Sequence, residues 1–434
     1  MTVSVKNPYL HLIISVLLIP LMIDSPFIVK IAISFYCIYL VFSKDAFAIP
    51  ALSIIVSFIS NAYIVYLGFL LISLLNFKKL HKIGVHILFL ALIIPLPFIV
   101  YKVYQNFTLY QMGIGNSIDQ FQLYLSFFSF FYGIIVAPTI TPQKTQAIIV
   151  MLLLVLGFQI IQVFEYKVPV IRLIFSSIPL VAAYLAGRNR LAGNRKFIMN
   201  FFLWIILIYL FLFTETTFTL LLTSLFCYYL SRIYFLGRYK QISFLTGVPI
   251  FLLIFLFMIY AITSYKEKDY REYKKVRMSE IKSVEMLLNR ARMKIFEDRS
   301  PLWSGAINTL KDYTWGIPQT IPKILLEKDE NKKEQEFAYH SHNIFLELPR
   351  TLGLLFGTLT SLIFIMIALK TRKYLTSKHD EFNFNILTLS SVTSLIIGSF
   401  SGIYPLLFTF AGTTLTICGM ATWEDYFSKV KCLE

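Results

Sequence analysis

Charged side chains are scarce in this sequence. Asp, Glu, Lys and Arg make up 15% of its 434 residues, where a soluble domain carries roughly 25%. Water therefore cannot solvate long stretches of the chain, and a soluble globular enzyme is excluded. Cysteine is nearly absent: Cys37, Cys227, Cys418 and Cys432 are the only four. Three fall inside apolar runs and no two share metal-ligand spacing. This excludes a disulfide framework and a zinc site, and the thiols read as small buried hydrophobes. Alternation of apolar and polar residues is missing, which excludes an outer-membrane barrel. A small-residue cleavage motif is missing after the first apolar run, 8–22. That run leads into a second one and is expected to stay as the first span. No internal repeat is visible, which counts against a repeat-built transporter.

What the chain has is apolar length. It is 57% hydrophobic with mean hydropathy +0.69, and it holds 41 Phe and 26 Tyr. Runs such as FFLWIILIYLFLF and GVPIFLLIFLFMIYAI are continuous. In lipid, backbone groups must be satisfied within the segment, so such runs are helices of about 17–25 residues each. They fall near 8–22, 27–43, 46–76 (two short spans, with Asn61 between), 84–101, 119–138, 148–164, 169–187, 198–213, 218–235, 243–263, 344–369, 383–399 and 404–421. The expected fold is all-α: a polytopic transmembrane helix bundle of about 12–14 spans with one long periplasmic loop.

The net charge is +16. In a soluble chain this would point to nucleic acid, but here most Lys and Arg sit in short loops between spans, so no nucleic-acid partner is expected. Four clusters stand out: Lys78, Lys79 and Lys82; Arg188, Arg190, Arg195 and Lys196; Arg232, Arg238 and Lys240; Lys370, Arg372, Lys373 and Lys378. The number of spans between successive clusters is even. All four then lie on the cytoplasmic side, as the positive-inside rule requires. The same count puts the one long polar stretch, 264–343, on the opposite side. The chain divides into three regions: an N-terminal transmembrane bundle over 1–263, a partly helical periplasmic loop over 264–343, and C-terminal transmembrane helices over 344–434. Within the loop, EIKSVEMLLNRARMKIF has the apolar spacing of an amphipathic helix, and LWSGAINTLKDY reads as a second helix. Pro318 and Pro322 interrupt the chain beyond that second helix.

Three strings carry chemistry. AYHSHNIFLELPRTLGLLFG, 338–357, holds two of the six histidines, His340 and His342, followed by Asn343. A neutral imidazole at a membrane interface can take a proton from a hydroxyl, and the Asn amide can orient a sugar or phosphate. Gly353 and Gly357 form a small-xxx-small pair, which admits another helix at close range. No further metal ligand stands at useful spacing, so neither metal nor cofactor is expected. EDRSPLWSGAINTLKDYTWGIPQT, 297–320, places Arg299 four residues before Trp303. A guanidinium binds diphosphate through paired hydrogen bonds, and transfer from a diphosphate-linked lipid needs that leaving charge stabilised. Glu215, in Thr214–Thr217, is an acid at a membrane boundary, a functional candidate by default. Each string also has a plain structural reading: an interfacial loop for the histidines, a surface pair of Arg299 with Asp298 or Asp312, and a solvated hairpin turn at Glu215.

At these strings the chain resembles the bacterial O-antigen ligase and O-antigen polymerase superfamily. The shared features are about a dozen spans, one long periplasmic loop in the C-terminal half, an Arg-x-x-x-Trp string early in it and an H-x-H-N-x-x-L…G…G string at its end. Here these are Arg299 to Trp303, and His340, His342, Asn343 and Leu346 with Gly353 and Gly357. The resemblance implies inner-membrane location with the active site facing the periplasm. It also implies an undecaprenyl-diphosphate-linked glycan donor, attack by an acceptor hydroxyl with inversion, and no cofactor. His342 and Arg299 would be catalytic: His342 the base or acceptor-orienting group, Arg299 the diphosphate holder. Arg290, Arg292, His340, Asn343, Trp303 and Glu215 would bind substrate. Partners implied are a glycan or lipid A-core acceptor, membrane lipids and a chain-length regulator. Two departures stand out. Many relatives carry Arg where this chain has Glu215-Thr216-Thr217, and relatives often carry Glu where it has Arg350. A repeat-unit polymerase is favoured on the Phe- and Tyr-rich composition. The alternatives are a ligase to lipid A-core and, from another class, a transporter of the lipid-linked oligosaccharide.

Overall fold

A computed structural model describes residues 27–46, 63–109, 121–150, 174–187, 217–263, 300–316, 343–400 and 411–431, with positions 14, 52, 118, 152–153 and 286. Among these residues the regular structure is helical throughout, with no strand. In chain order the helices are α1 (Phe27–Phe42), α2 (Tyr63–Leu75), α3 (Phe77–Ile83), α4 (His86–Ile93), α5 (Leu96–Leu109), α6 (Gln122–Ser126), α7 (Phe128–Val136), α8 (Ile174–Gly187), α9 (Thr217–Phe235), α10 (Tyr239–Leu245), α11 (Val248–Thr263), α12 (Ser300–Asp312), α13 (Ile344–Leu375), α14 (Phe382–Phe400) and α15 (Ala411–Lys431). Four stretches among the described residues are long and apolar enough to cross a membrane: His86–Leu109, Gln122–Thr139, Tyr239–Tyr260 and Ile344–Leu375. The pair α2 and α3, bent by 74°, would make a fifth. The chain is thus an all-helical protein with several segments able to cross a membrane.

The middle of the bundle is aromatic. Phe127, Phe128, Phe130, Phe131 and Tyr132 are completely buried on α7 and just before it. Their large area supplies much of the packing. α7 packs most extensively on α15, and glycine permits it. A Cβ on Gly133 would collide with the Thr416 backbone, and one on Gly419 with that of Phe130. Backbone-to-backbone approach of this kind replaces the hydrophobic drive that lipid cannot supply. Buried hydroxyls are satisfied locally. Thr360, Thr388 and Thr393 donate to the carbonyls four residues earlier at 2.8–2.9 Å, so they cost little in an apolar interior.

Three of the four basic clusters share one end. Lys79 Nζ lies 4.4 Å from the Trp423 ring centroid, and Thr371 reaches the Cys418 carbonyl. Arg372 donates to the Ser243 carbonyl at 3.0 Å, on α10, which comes directly after the Arg232–Arg238 turn. The Arg188–Lys196 cluster lies outside the described residues. α15 runs well past the expected end at 421, because its last turns are tied down by an i,i+4 pair, Lys429 Nζ to Asp425 at 2.6 Å. The helix expected over LWSGAINTLKDY is α12. It sits at the opposite end from the basic clusters, beside the start of α13.

Candidate functional site

The far end of the bundle is organised by the first turns of α13. Asn343 caps the helix: its Oδ1 accepts from the Phe345 N–H at 2.9 Å, while its Nδ2 points to Met258 Sδ on α11 at 3.2 Å. A short polar side chain at this position satisfies one of the helix's orphan donors. It also fixes the start of α13 against α11. Asn343 is buried, at 2% exposure.

α13 is not one straight rod. Gly353 has φ 81° and ψ 163°, a combination essentially restricted to glycine. The amide of Leu354 leaves the helical ladder there and donates to the Thr314 carbonyl at 2.8 Å. A Cβ on Gly357 would collide with the backbone of Leu348 and Pro349. In a straight helix residues eight apart are about 12 Å apart along the axis. The contact therefore means that residues 344–352 turn back against the start of the long segment. The small-xxx-small pair thus has a different partner from the one expected. Gly357 receives the chain's own preceding turns, and Gly353 receives the Thr314–Trp315 loop rather than another spanning helix. The long segment from Leu354 to Leu375 still covers about 33 Å, enough to cross the hydrocarbon core.

The short segment packs on α12 and α11. Trp303, Ala306, Leu346 and Met258 form one buried cluster. Trp303 is 5% exposed, and its indole N–H, fully enclosed, has no hydrogen-bond partner among the described residues. An unsatisfied buried donor of this kind costs about 1–3 kcal/mol, so it marks a place where a ligand oxygen would be welcome. Beyond α12 the Gly316 carbonyl accepts from Lys102 Nζ of α5 at 3.1 Å. A cleft of about 480 Å³ opens beside the Gly353 turn, lined by Thr314, Trp315, Leu354, Leu355, Thr358 and Leu362 among others. Leu354, Leu355 and Leu362 are exposed, as is Trp315, so the cleft opens on the apolar outside of the bundle.

Two charges are buried here. Glu347 and Arg350 are 2% and 7% exposed, with Arg350 Nη2 2.5 Å and Nε 3.2 Å from the carboxylate oxygens. Sequence reasoning singles out Arg350 as a reversed charge and misses Glu347. The signal is present: an acid and a base three residues apart inside an apolar run, the spacing that brings side chains together on a helix. Of the residues singled out from sequence, Asn343 and Trp303 are brought to this one corner. Arg299, Arg290, Arg292, His340, His342 and Glu215 lie outside the described residues. No family model matches the chain, and no curated protein matches it.

Proposed function

We propose that this chain is a membrane glycan transferase that uses an undecaprenyl-diphosphate-linked oligosaccharide as donor, and that it acts as a polysaccharide repeat-unit polymerase. One observation carries the reading. Trp303, of the Arg-x-x-x-Trp string, packs against Leu346, of the H-x-H-N-x-x-L string, although some forty residues of chain separate them. Their junction holds an indole donor without a partner among the described residues. The outward-opening cleft beside the Gly353 turn suits an isoprenoid tail, whose apolar length needs no polar contact.

In this reading the acceptor hydroxyl attacks the anomeric carbon of the donor sugar. The new glycosidic C–O bond forms as the bond to the diphosphate breaks, with inversion. His342 receives the hydroxyl proton, and Arg299 holds the departing undecaprenyl diphosphate. Arg290, Arg292, His340, Asn343 and Glu215 contact the substrates, and Trp303 donates to a sugar or phosphate oxygen. The protein sits in the bacterial inner membrane with this site toward the periplasm, the basic clusters being cytoplasmic.

The test is glycan transfer in reconstituted vesicles. His342→Ala should abolish transfer while the protein stays inserted and folded; full activity in that variant overturns the assignment. Deleting the gene and resolving the lipopolysaccharide on a gel separates the acceptors. A single capped repeat unit indicates a lost polymerase, and free lipid-linked polymer a lost ligase.

A further inference from the structure

At the opposite end from this site, α3 turns by 74° from the axis of α2. α3 therefore runs nearly crosswise to α2, an apolar helix of 13 residues. Its sequence, FKKLHKI, is two-faced. Phe77, Leu80 and Ile83 belong to the core, with Leu80 completely buried. Lys78, His81 and Lys82 are exposed. Its end is set by Gly84, at φ 75°, whose amide returns to the His81 and Leu80 carbonyls.

Two lysines at this end have carboxylate partners. Lys144 pairs with Asp45 at 2.8 Å and Lys429 with Asp425 at 2.6 Å. Lys79 turns inward, donating to the Ile135 carbonyl at 2.8 Å and lying over Trp423. Among the described residues no acid pairs with Lys78 or Lys82. Directly flanking them is an apolar wall. Leu71, Leu74 and Leu75 close α2, Ile87 and Leu90 open α4, and all five are exposed. The helix thus makes an exposed cationic ledge with exposed apolar surface on both sides.

We infer that α3 and its flanking turns form a binding site for an anionic glycerophospholipid of the adjoining leaflet. Lys78 and Lys82 hold the headgroup phosphodiester, and the Leu75 and Ile87 side chains lie along the acyl chains. Two charges on an amphipathic helix supply the anion preference. The exposed leucines distinguish a lipid from a soluble phosphate, which would make no use of them. The site is independent of the glycan chemistry proposed above.

The experiment is native mass spectrometry of the full chain in detergent with equimolar phosphatidylglycerol and phosphatidylcholine. The wild-type chain should retain phosphatidylglycerol preferentially. K78Q/K82Q should lose that preference by about five-fold for each lysine removed, with the thermal midpoint in lipid-free detergent unchanged because both side chains are exposed. K78R/K82R should keep it. Equal retention of the two lipids by the wild-type chain overturns the proposal, as does an undiminished preference in K78Q/K82Q. Displacement of the lipid by millimolar glycerol phosphate would instead identify a free-anion site and overturn it too.

Discussion

Arg350 reaches back one helical turn to Glu347, with Nη2 2.5 Å from a carboxylate oxygen and both side chains buried. The pair makes the short segment of α13 electrically neutral despite two charges in an apolar setting. Each charge offsets part of the desolvation that the other would suffer alone.

Removing one partner should therefore be costly. Glu347→Gln or Arg350→Leu alone should destabilise the protein by about 3–5 kcal/mol. Thermal midpoints of the single and double variants in detergent give the coupling directly. Additive effects would show that the pair is not a unit.

The Gly353 turn should tolerate no side chain. Its φ of 81° strains any L residue by about 1–3 kcal/mol, and a Cβ would lie 2.9 Å from the Thr314 carbonyl oxygen. Gly353→Ala should lower the thermal midpoint and release the 314–316 loop, seen as faster amide exchange at Leu354, whose N–H bonds that loop. An unchanged exchange rate there would contradict the turn.

Trp303→Phe separates packing from chemistry. The ring volume is largely kept and an unsatisfied donor is removed, so stability should hold or rise by up to about 1 kcal/mol. Under the proposed function, transfer should fall by up to about ten-fold, the worth of one hydrogen bond. Loss of stability in step with activity would show that Trp303 serves packing alone.

Acid should weaken the basic end. His379, in the turn between α13 and α14, is stacked on Tyr374 at 3.9 Å, and burial holds its pKa below the usual 6.5. The unfolded chain then takes the proton first, so stability is lost as pH falls below about 6.5. Glu381 acts oppositely at lower pH. Burial raises its carboxyl above 4.5, partly offset by Thr145, so the folded state gains relative stability as it protonates. His379→Gln should flatten the thermal midpoint between pH 7 and 5. A slope as steep as that of the wild-type chain would assign the effect to another group.

The legible parts of the molecule are those set by local composition. Continuous apolar runs have one solution in lipid, a helix, and α4, α7, α9, α11, α13 and α14 lie where the runs lie, while α5 continues well past the expected end at 101. The residues of α12 have helical spacing, and a helix forms there. Less legible is anything that depends on a break inside a run. Pro349, Gly353 and Gly357 read as features of one span, because no local rule says that a helix will fold back on itself. Glu347 escapes a reading by composition, because its meaning lies in its three-residue spacing to Arg350 and in its burial.

By itself the sequence determined that the chain is built of apolar helices able to cross a membrane, and that three of its basic clusters collect at one end. Apolar length and the siting of Lys and Arg are properties of single segments, and segments need no partners to express them. Only the tertiary structure decided what meets at the far end: Trp303 against Leu346, Asn343 against Met258, Gly353 against the Thr314–Trp315 loop. Those contacts join elements distant in the chain through shape and close backbone approach, and such complementarity exists only once the helices are packed.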